Sequence, residues 1–249
     1  MATGLPIILW DSRLKDATPV ASSTAAGYDV RNLTDFRAYT WWRPTALPAT
    51  VTVDCGSPRA ADCLGVYGHD LGSKGATIQV QASTDNFVAS NVAVTSFTPT
   101  HDRPIVRTWP SVAYRYWRLR VTGSTAPSLA IVAIGAALAF PRPLARGFDP
   151  LGRAVVGAVN RSEDGHALGR AVYAEQWEAR LSFRLLTWEW VRSTFLPAWQ
   201  AHLRSAPFLF AWDPVEHPEE TRLVTAGEAF RAPTEGAFSA LELDVMGVA

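Results

Sequence analysis

Tyr116-Trp-Arg-Leu-Arg-Val-Thr122 alternates without a break, with Trp117, Leu119 and Val121 on one side and Arg118 and Arg120 on the other. Successive side chains fall on opposite faces only in an extended chain, so a two-residue period specifies a strand with one buried face. Val51-Thr-Val-Asp54 and Thr77-Ile-Gln-Val-Gln-Ala-Ser83 repeat the pattern. Turn-forming residues separate these segments: Gly56-Ser-Pro58, Gly72-Ser-Lys-Gly75, Asp85-Asn86 and Gly123-Ser124. Few long stretches here have helical period, so the first 140 residues are expected to form an antiparallel sandwich.

Composition divides the chain. Every glutamate lies at or after Glu163. The first 140 residues carry 12 Lys+Arg against 9 Asp, and residues 141–249 carry 11 Arg against 14 Asp+Glu. The turn-rich run from Pro141 to Pro150 sits at this break, which predicts two units, 1–140 and 141–249. At 249 residues each half is long enough to bury a core. Met1-Ala-Thr-Gly-Leu-Pro6 has no basic leader pattern, and Leu129–Phe140 is too short to cross a membrane as a helix. The expectation is a soluble protein made in a cytoplasm, with no membrane insertion. Cys55 and Cys63 suit small buried strand positions, or a bridge between adjacent strands.

The second half mixes strands with one helix. Ala154–Val159 reads as a strand and Asn160–Gly165 as a hairpin connection. Ala179–Leu185 alternates, with Leu181, Phe183 and Leu185 on one face. Thr187 is placed to cap a helix over about 188–205, whose stripe is Trp188, Val191, Phe195, Trp199 and Leu203. Pro197 is expected to kink or break it. Pro207–Trp212 reads as a buried strand, Asp213–Glu220 as an acidic loop, and Arg222–Thr225 and Ala240–Val245 as closing strands.

The order of segments in the first half resembles the discoidin, or coagulation-factor C-type, domain of the galactose-binding-like fold. The resemblance rests on Ala26–Asp35 followed by Thr40-Trp41-Trp42, on Val51–Gly56, Leu64–Tyr67, Ile78–Asp85, Tyr114–Val121 and Ile131–Gly135. Cys55 stands where that family has Leu, and Asn86 where it has Gly. The resemblance implies a jelly-roll sandwich whose end loops bind sugars, lipids or proteins. Residues 188–213, a helix followed by Pro-Phe-Leu-Phe-Ala-Trp-Asp, resemble the tail-tube-like module of distal tail and baseplate proteins of long-tailed bacterial viruses. That resemblance implies a β-sandwich or barrel with one α-helix. The fold class expected is therefore mainly β in both units.

Catalytic signatures are missing from the sequence: it has no G-x-S-x-G elbow, P-loop, H-E-x-x-H or dinucleotide fingerprint. His69-Asp70 and His101-Asp102 are adjacent pairs, which point apart on a strand and are not preformed dyads. The cluster Asp213, Glu216, His217, Glu219 and Glu220 has oxygen ligands suited to calcium but lacks the glycine of a calcium loop, and reads as a solvated loop or a subunit contact. Arg115, Arg118 and Arg120 read as an arginine ladder, since nucleic acid demands a larger charge excess than about +3. No enzyme, cofactor, metal or nucleic-acid specificity is expected.

Together the resemblances imply a structural virion protein: a distal tail or baseplate subunit, made in the host bacterial cytoplasm and residing at the tail tip. It would form a homo-oligomeric ring, trimer or hexamer, with other tail or baseplate proteins as partners and host-surface glycans as a further one. The alternative is a carbohydrate-binding, lectin-like module without catalysis. Contact candidates are Trp41, Trp42, Arg43 and Trp109, with the expectation that at least one of Trp41 and Trp42 packs in the core.

Overall fold

The computed structural model describes residues 4–248. Its strands, in chain order, are β1 (Ile7–Ser12), β2 (Val20–Ala21), β3 (Ala49–His69), β4 (Thr77–Ser83), β5 (Val92–Phe97), β6 (Ile105–Thr122), β7 (Leu129–Ala139), β8 (Ala154–Arg161), β9 (Ala167–Leu186), β10 (Phe208–Ala211), β11 (Arg222–Arg231), β12 (Thr234–Glu235) and β13 (Phe238–Val248). The protein is mainly β. It divides into two compact units, one running up to Ala139 and including Leu209–Thr221, the other combining Phe140–Phe208 with the chain from Arg222 onward. The segment after Phe208 returns to the first unit because β10 pairs with β1, Ile7 opposite Ala211 and Leu9 opposite Leu209.

The first unit is ordered β5-β4-β6-β3-β7-β1-β10, all antiparallel where paired. Its two long strands, β3 and β6, pair in two blocks. Ala49–Asp54 lies against Tyr116–Val121, and Arg59–Val66 lies against Ile105–Tyr114, with a register shift between Asp54 and Arg59. Gly56, at φ 73°, makes that irregularity possible. The first block continues into β4, and the second into β7. Their apolar faces share one core: Val51, Val53, Trp117, Leu119 and Val121 from the first, Leu64, Val66, Val132 and Ile134 from the second. The alternation of Tyr116–Thr122 is realised, with Trp117, Leu119 and Val121 buried and Arg118 and Arg120 half-buried opposite. Leu129–Phe140, too short for a membrane helix, is the single strand β7 followed by Phe140, and no described helix is long and apolar enough to cross a membrane.

The second unit is a sheet of order β11-β13-β9-β8 with one helical stretch. Thr187 caps that stretch, its Oγ1 accepting from the Trp190 N–H at 3.3 Å. The helix runs through Pro197 without breaking: Trp188–Trp190 and Leu196–Ala198 are α, and Val191–Phe195 and Trp199–Leu203 are π. The wider turns carry N–H groups to carbonyls five residues back, as from Leu196 to Val191, which accommodates a residue lacking a donor. Phe195 and Trp199 meet Phe230 of β11 edge-on, at 5.1 Å between ring centres in each case, and Phe140 stacks on Phe183 at 3.8 Å. Leu185 departs from the expected face. It lies at φ 56° and is exposed, and Leu186 is buried in its place. Two residues of β9 oppose one of β13 between the pairs Leu186–Ser239 and Phe183–Leu241, a bulge that resets the alternation.

Gly135 tests the packing of the first unit. It is buried, faces Ser12 and Cys63 on its two neighbours, and a Cβ there would sit on the Asp11 carbonyl oxygen. Gly135→Ala is expected to destabilise the protein by about 1–3 kcal/mol, read as a lower urea midpoint at unchanged slope.

Candidate functional site: the aromatic loop of the first unit

Residues 29–43 form a loop fixed by its own short polar side chains. Asp29 caps the 3-10 turn Val30–Thr34 by accepting from the Arg31 N–H at 2.8 Å. Asp35 accepts from the Arg37 N–H at 2.8 Å and from the Thr40 hydroxyl at 2.7 Å. The Asn32 side-chain amide donates to the Trp41 carbonyl at 2.8 Å. Phe36 is buried at φ 57°, with the Lys15 ammonium 4.4 Å from its ring centre. The loop therefore presents two aromatic rings on a determined backbone: Tyr39 is 69% exposed and Trp41 39%.

The four sequence candidates separate. Trp41 is exposed. Trp42 is wholly buried, its indole N–H donating to the Thr24 hydroxyl at 3.3 Å and its backbone bridging Leu129 in both directions. It is a core residue and offers no side-chain contact. Arg43 is half-buried, and its carbonyl accepts from the Ala25 N–H. Trp109 is half-buried on β6 and donates to the Ala61 carbonyl at 3.0 Å. Leu129, which bridges Trp42, pairs with His69, eight positions along β3 from Ala61. At the rise of a strand that is roughly 25 Å, so Trp109 does not join the Trp41 loop.

Of the two histidine–aspartate pairs, His69, Asp70 and Asp102 act as loop fasteners. His69 Nδ1 accepts from the Leu71 N–H at 3.3 Å, which leaves Nε2 to donate to the Arg103 carbonyl at 2.8 Å. Asp70 accepts from the Ser128 N–H at 2.6 Å and Asp102 from the Ser73 N–H at 3.0 Å. The acidic loop is equally committed: Asp213, buried, accepts from the N–H groups of Gly4, Val215 and Glu216, and Glu220 accepts from the Trp212 indole at 2.7 Å. No group of three or more metal-type ligands occurs among the described residues. Cys55 and Cys63 are unbridged. Burial raises both thiols, that of Cys55 to about 12, so neither is a thiolate near neutral pH.

No family model and no curated protein matches the chain. Solved structures similar to half of it include carbohydrate-binding modules. Chitosan-binding module 1 from the chitosanase/glucanase of Paenibacillus sp. IK-5 is 19% identical over 49% of this chain and 97% of its own, with a TM-score of 0.43. The CBM32 of AlyQ, in complex with 4,5-unsaturated mannuronic acid, is 20% identical over 51% and 96%, with a TM-score of 0.41. A CBM32 of Clostridium perfringens, in complex with GalNAc-β-1,3-galactose, is 13% identical over 51% and 99%, with a TM-score of 0.43. Likeness at this level transfers no ligand to this chain, and none of these three is a viral tail protein.

His69 gives the site region a pH signature. Its burial lowers its pKa, outweighing the Arg103 carbonyl and the Asp102 charge that raise it. Between that lowered value and the ordinary value of about 6.5, the unfolded chain binds a proton that the folded protein does not. Stability therefore falls as pH falls through this window. Thermal midpoints are expected to drop on acidification below about pH 6.5, and His69→Gln, which retains a donor for the Arg103 carbonyl, is expected to flatten that drop.

Proposed function

We propose that the protein is a non-catalytic carbohydrate-binding module in which Trp41 stacks on a sugar ring. The observation that carries this reading is the exposed pair Tyr39 and Trp41 on a loop held by Asp29, Asn32 and Asp35. An indole face suits the C–H face of a pyranose, and a loop already ordered loses little entropy on binding. The commitment of His69, Asp70 and Asp102 to backbone groups supports a binding role rather than catalysis. Trp41→Ala is expected to weaken glycan binding by about 2 kcal/mol, roughly thirtyfold, with folding intact by circular dichroism. A glycan array that stays silent for the wild-type protein would sink this reading.

One observation favours a second reading, the ring-forming tail-tip subunit made in a bacterial host. The hairpin of β8 and β9 exposes apolar side chains: Val172 and Tyr173, at a bulge in β9, are 57% and 71% exposed. Val156, Val159 and Leu168 add to this surface, and β8 is an edge strand. A two-stranded ribbon is marginal by itself, and exposed apolar surface on it suits burial between subunits. On this reading, light scattering gives a discrete trimer or hexamer and Val172→Glu reduces it to monomer. A monomer that stays monomeric with purified tail partners would exclude it.

A further inference from the structure

The face of the first unit opposite its core carries a second constellation that the Trp41 reading does not use. Arg118 of β6 lies between Thr52 of β3 and Gln81 of β4, and Tyr116 lies beside Asp54 one row along. A groove of about 450 Å³ follows Thr50, Thr52, Asp54, Tyr116 and Arg118, with Phe87 as a wall. Asn86 and Phe87 both sit at positive φ, 59° and 64°, a conformation that bulky residues rarely adopt and that persists where the surroundings determine it. Here the Ser83 hydroxyl accepts from the Phe87 N–H at 2.9 Å, and the Asp85 carboxylate accepts from the N–H groups of Ala89 and Ser90. This places the Phe87 ring 3.6 Å from the Arg118 guanidinium. Arg118 Nε donates to the Gln81 side chain at 2.9 Å, and Gln81, buried, is itself held by Gln79 at 2.7 Å. One flat side and one edge of the guanidinium are thus fixed. Its two Nη groups have no hydrogen-bond partner among the described residues.

The charge of the groove is not balanced from within. Arg120, two residues on and on the same face, forms no ion pair with a described carboxylate, and burial together with the Arg120 charge lowers the Arg118 pKa. The groove's carboxylate, Asp54, is consumed by Arg115 at 2.7 and 2.8 Å and by the Gly56 N–H, which hold it at about 2. What remains is a pre-oriented planar donor with no carboxylate partner among the described residues. β6 is paired on both edges here, so a peptide cannot add as a strand. The remaining lining is mostly hydroxyls and the Phe87 ring, with Asn86 and the apolar Ala17, Val20 and Ala21 beside them, a mixture that suits the polar edges and apolar faces of hydroxylated rings. We infer that this groove is a second binding site, separate from the Trp41 loop, that takes an acidic oligosaccharide with a uronate carboxylate on Arg118.

Calorimetric titration of the full chain with tetragalacturonate, with oligomannuronate and with the neutral methyl ester of tetragalacturonate tests this. At least one acid form is expected to bind, the ester to bind at least about tenfold more weakly, and affinity to fall with added salt. Arg118→Ala is expected to lose at least about tenfold and Arg118→Lys to recover only part, because an ammonium has no planar fork. The loss caused by Arg118→Ala is expected to persist in a Trp41→Ala background, so failure of the loop reading and failure of this one are separable. Equal binding of acid and ester, wild-type affinity in a folded Arg118→Ala, no binding of either acid at millimolar concentration, or equal binding of an oligoglutamate peptide would each overturn it.

Discussion

The first unit depends on β3 and β6 staying paired while the chain changes direction. Two strands of 21 and 18 residues exceed the usual length several-fold, and a flat ribbon that long could not bury both ends against one core. The register shift between Asp54 and Arg59 divides the ladder into two blocks, and the turn residues Gly56-Ser57-Pro58 supply the irregular backbone. Everything else follows from that division. β4 extends one block, β7 extends the other, and β1 and β10 close onto β7. Trp117 sits at the junction, its indole donating to the carbonyls of both Arg59 and Tyr114, the first ladder pair beyond the shift, so a large apolar ring also ties the two strands where the register changes.

Alternation made the strands legible because it is set by the backbone and needs no knowledge of neighbours. The same rule failed at Leu185, where a bulge shifts the phase by one residue and nothing local marks it, since leucine at positive φ is not a turn signal. The helix and its extent past Pro197 were legible from its stripe and from Thr187, yet the π turns that accommodate the proline were not, because no local residue pattern marks them. Trp41 and Trp42 show the limit for sites. Adjacent and identical, one is exposed and the other wholly buried, and only the bridge to Leu129 decides which. The groove residues were present in the sequence as an arginine stripe, but whether an arginine is paired or free is a fact about strand neighbours that spacing cannot supply.

A common use of aspartate runs through the first unit. Asp29, Asp35, Asp70, Asp85, Asp102 and Asp213 each accept backbone N–H groups in loops or turns, where a carboxylate is stronger than a neutral acceptor. Asp54 serves Arg115 as well as the Gly56 N–H, and Asp11 serves Arg13. This allocation explains why dense acidic and histidine motifs yield no catalytic dyad. Lone pairs already occupied by N–H groups are poor bases, and their geometry is dictated by the turn rather than by a reacting group.

The arginines are not used to the same degree, and here the half-chain charge imbalance gains a physical meaning. The first 140 residues hold three more cations than anions, and most of the aspartates are occupied by turns rather than by arginines. Arg118 and Arg120 are therefore left on a half-buried sheet face with no carboxylate to answer them, at the cost of mutual repulsion and partial desolvation. A fold selected only for stability would set an acid or an apolar residue at one of these positions, as it has set Asp54 beside Arg115. The protein instead spends further strain at Asn86 and Phe87 to brace one of the two unpaired cations against an aromatic ring. Strain and unbalanced charge at the same place argue for a ligand that relieves the second and gains from the order imposed by the first.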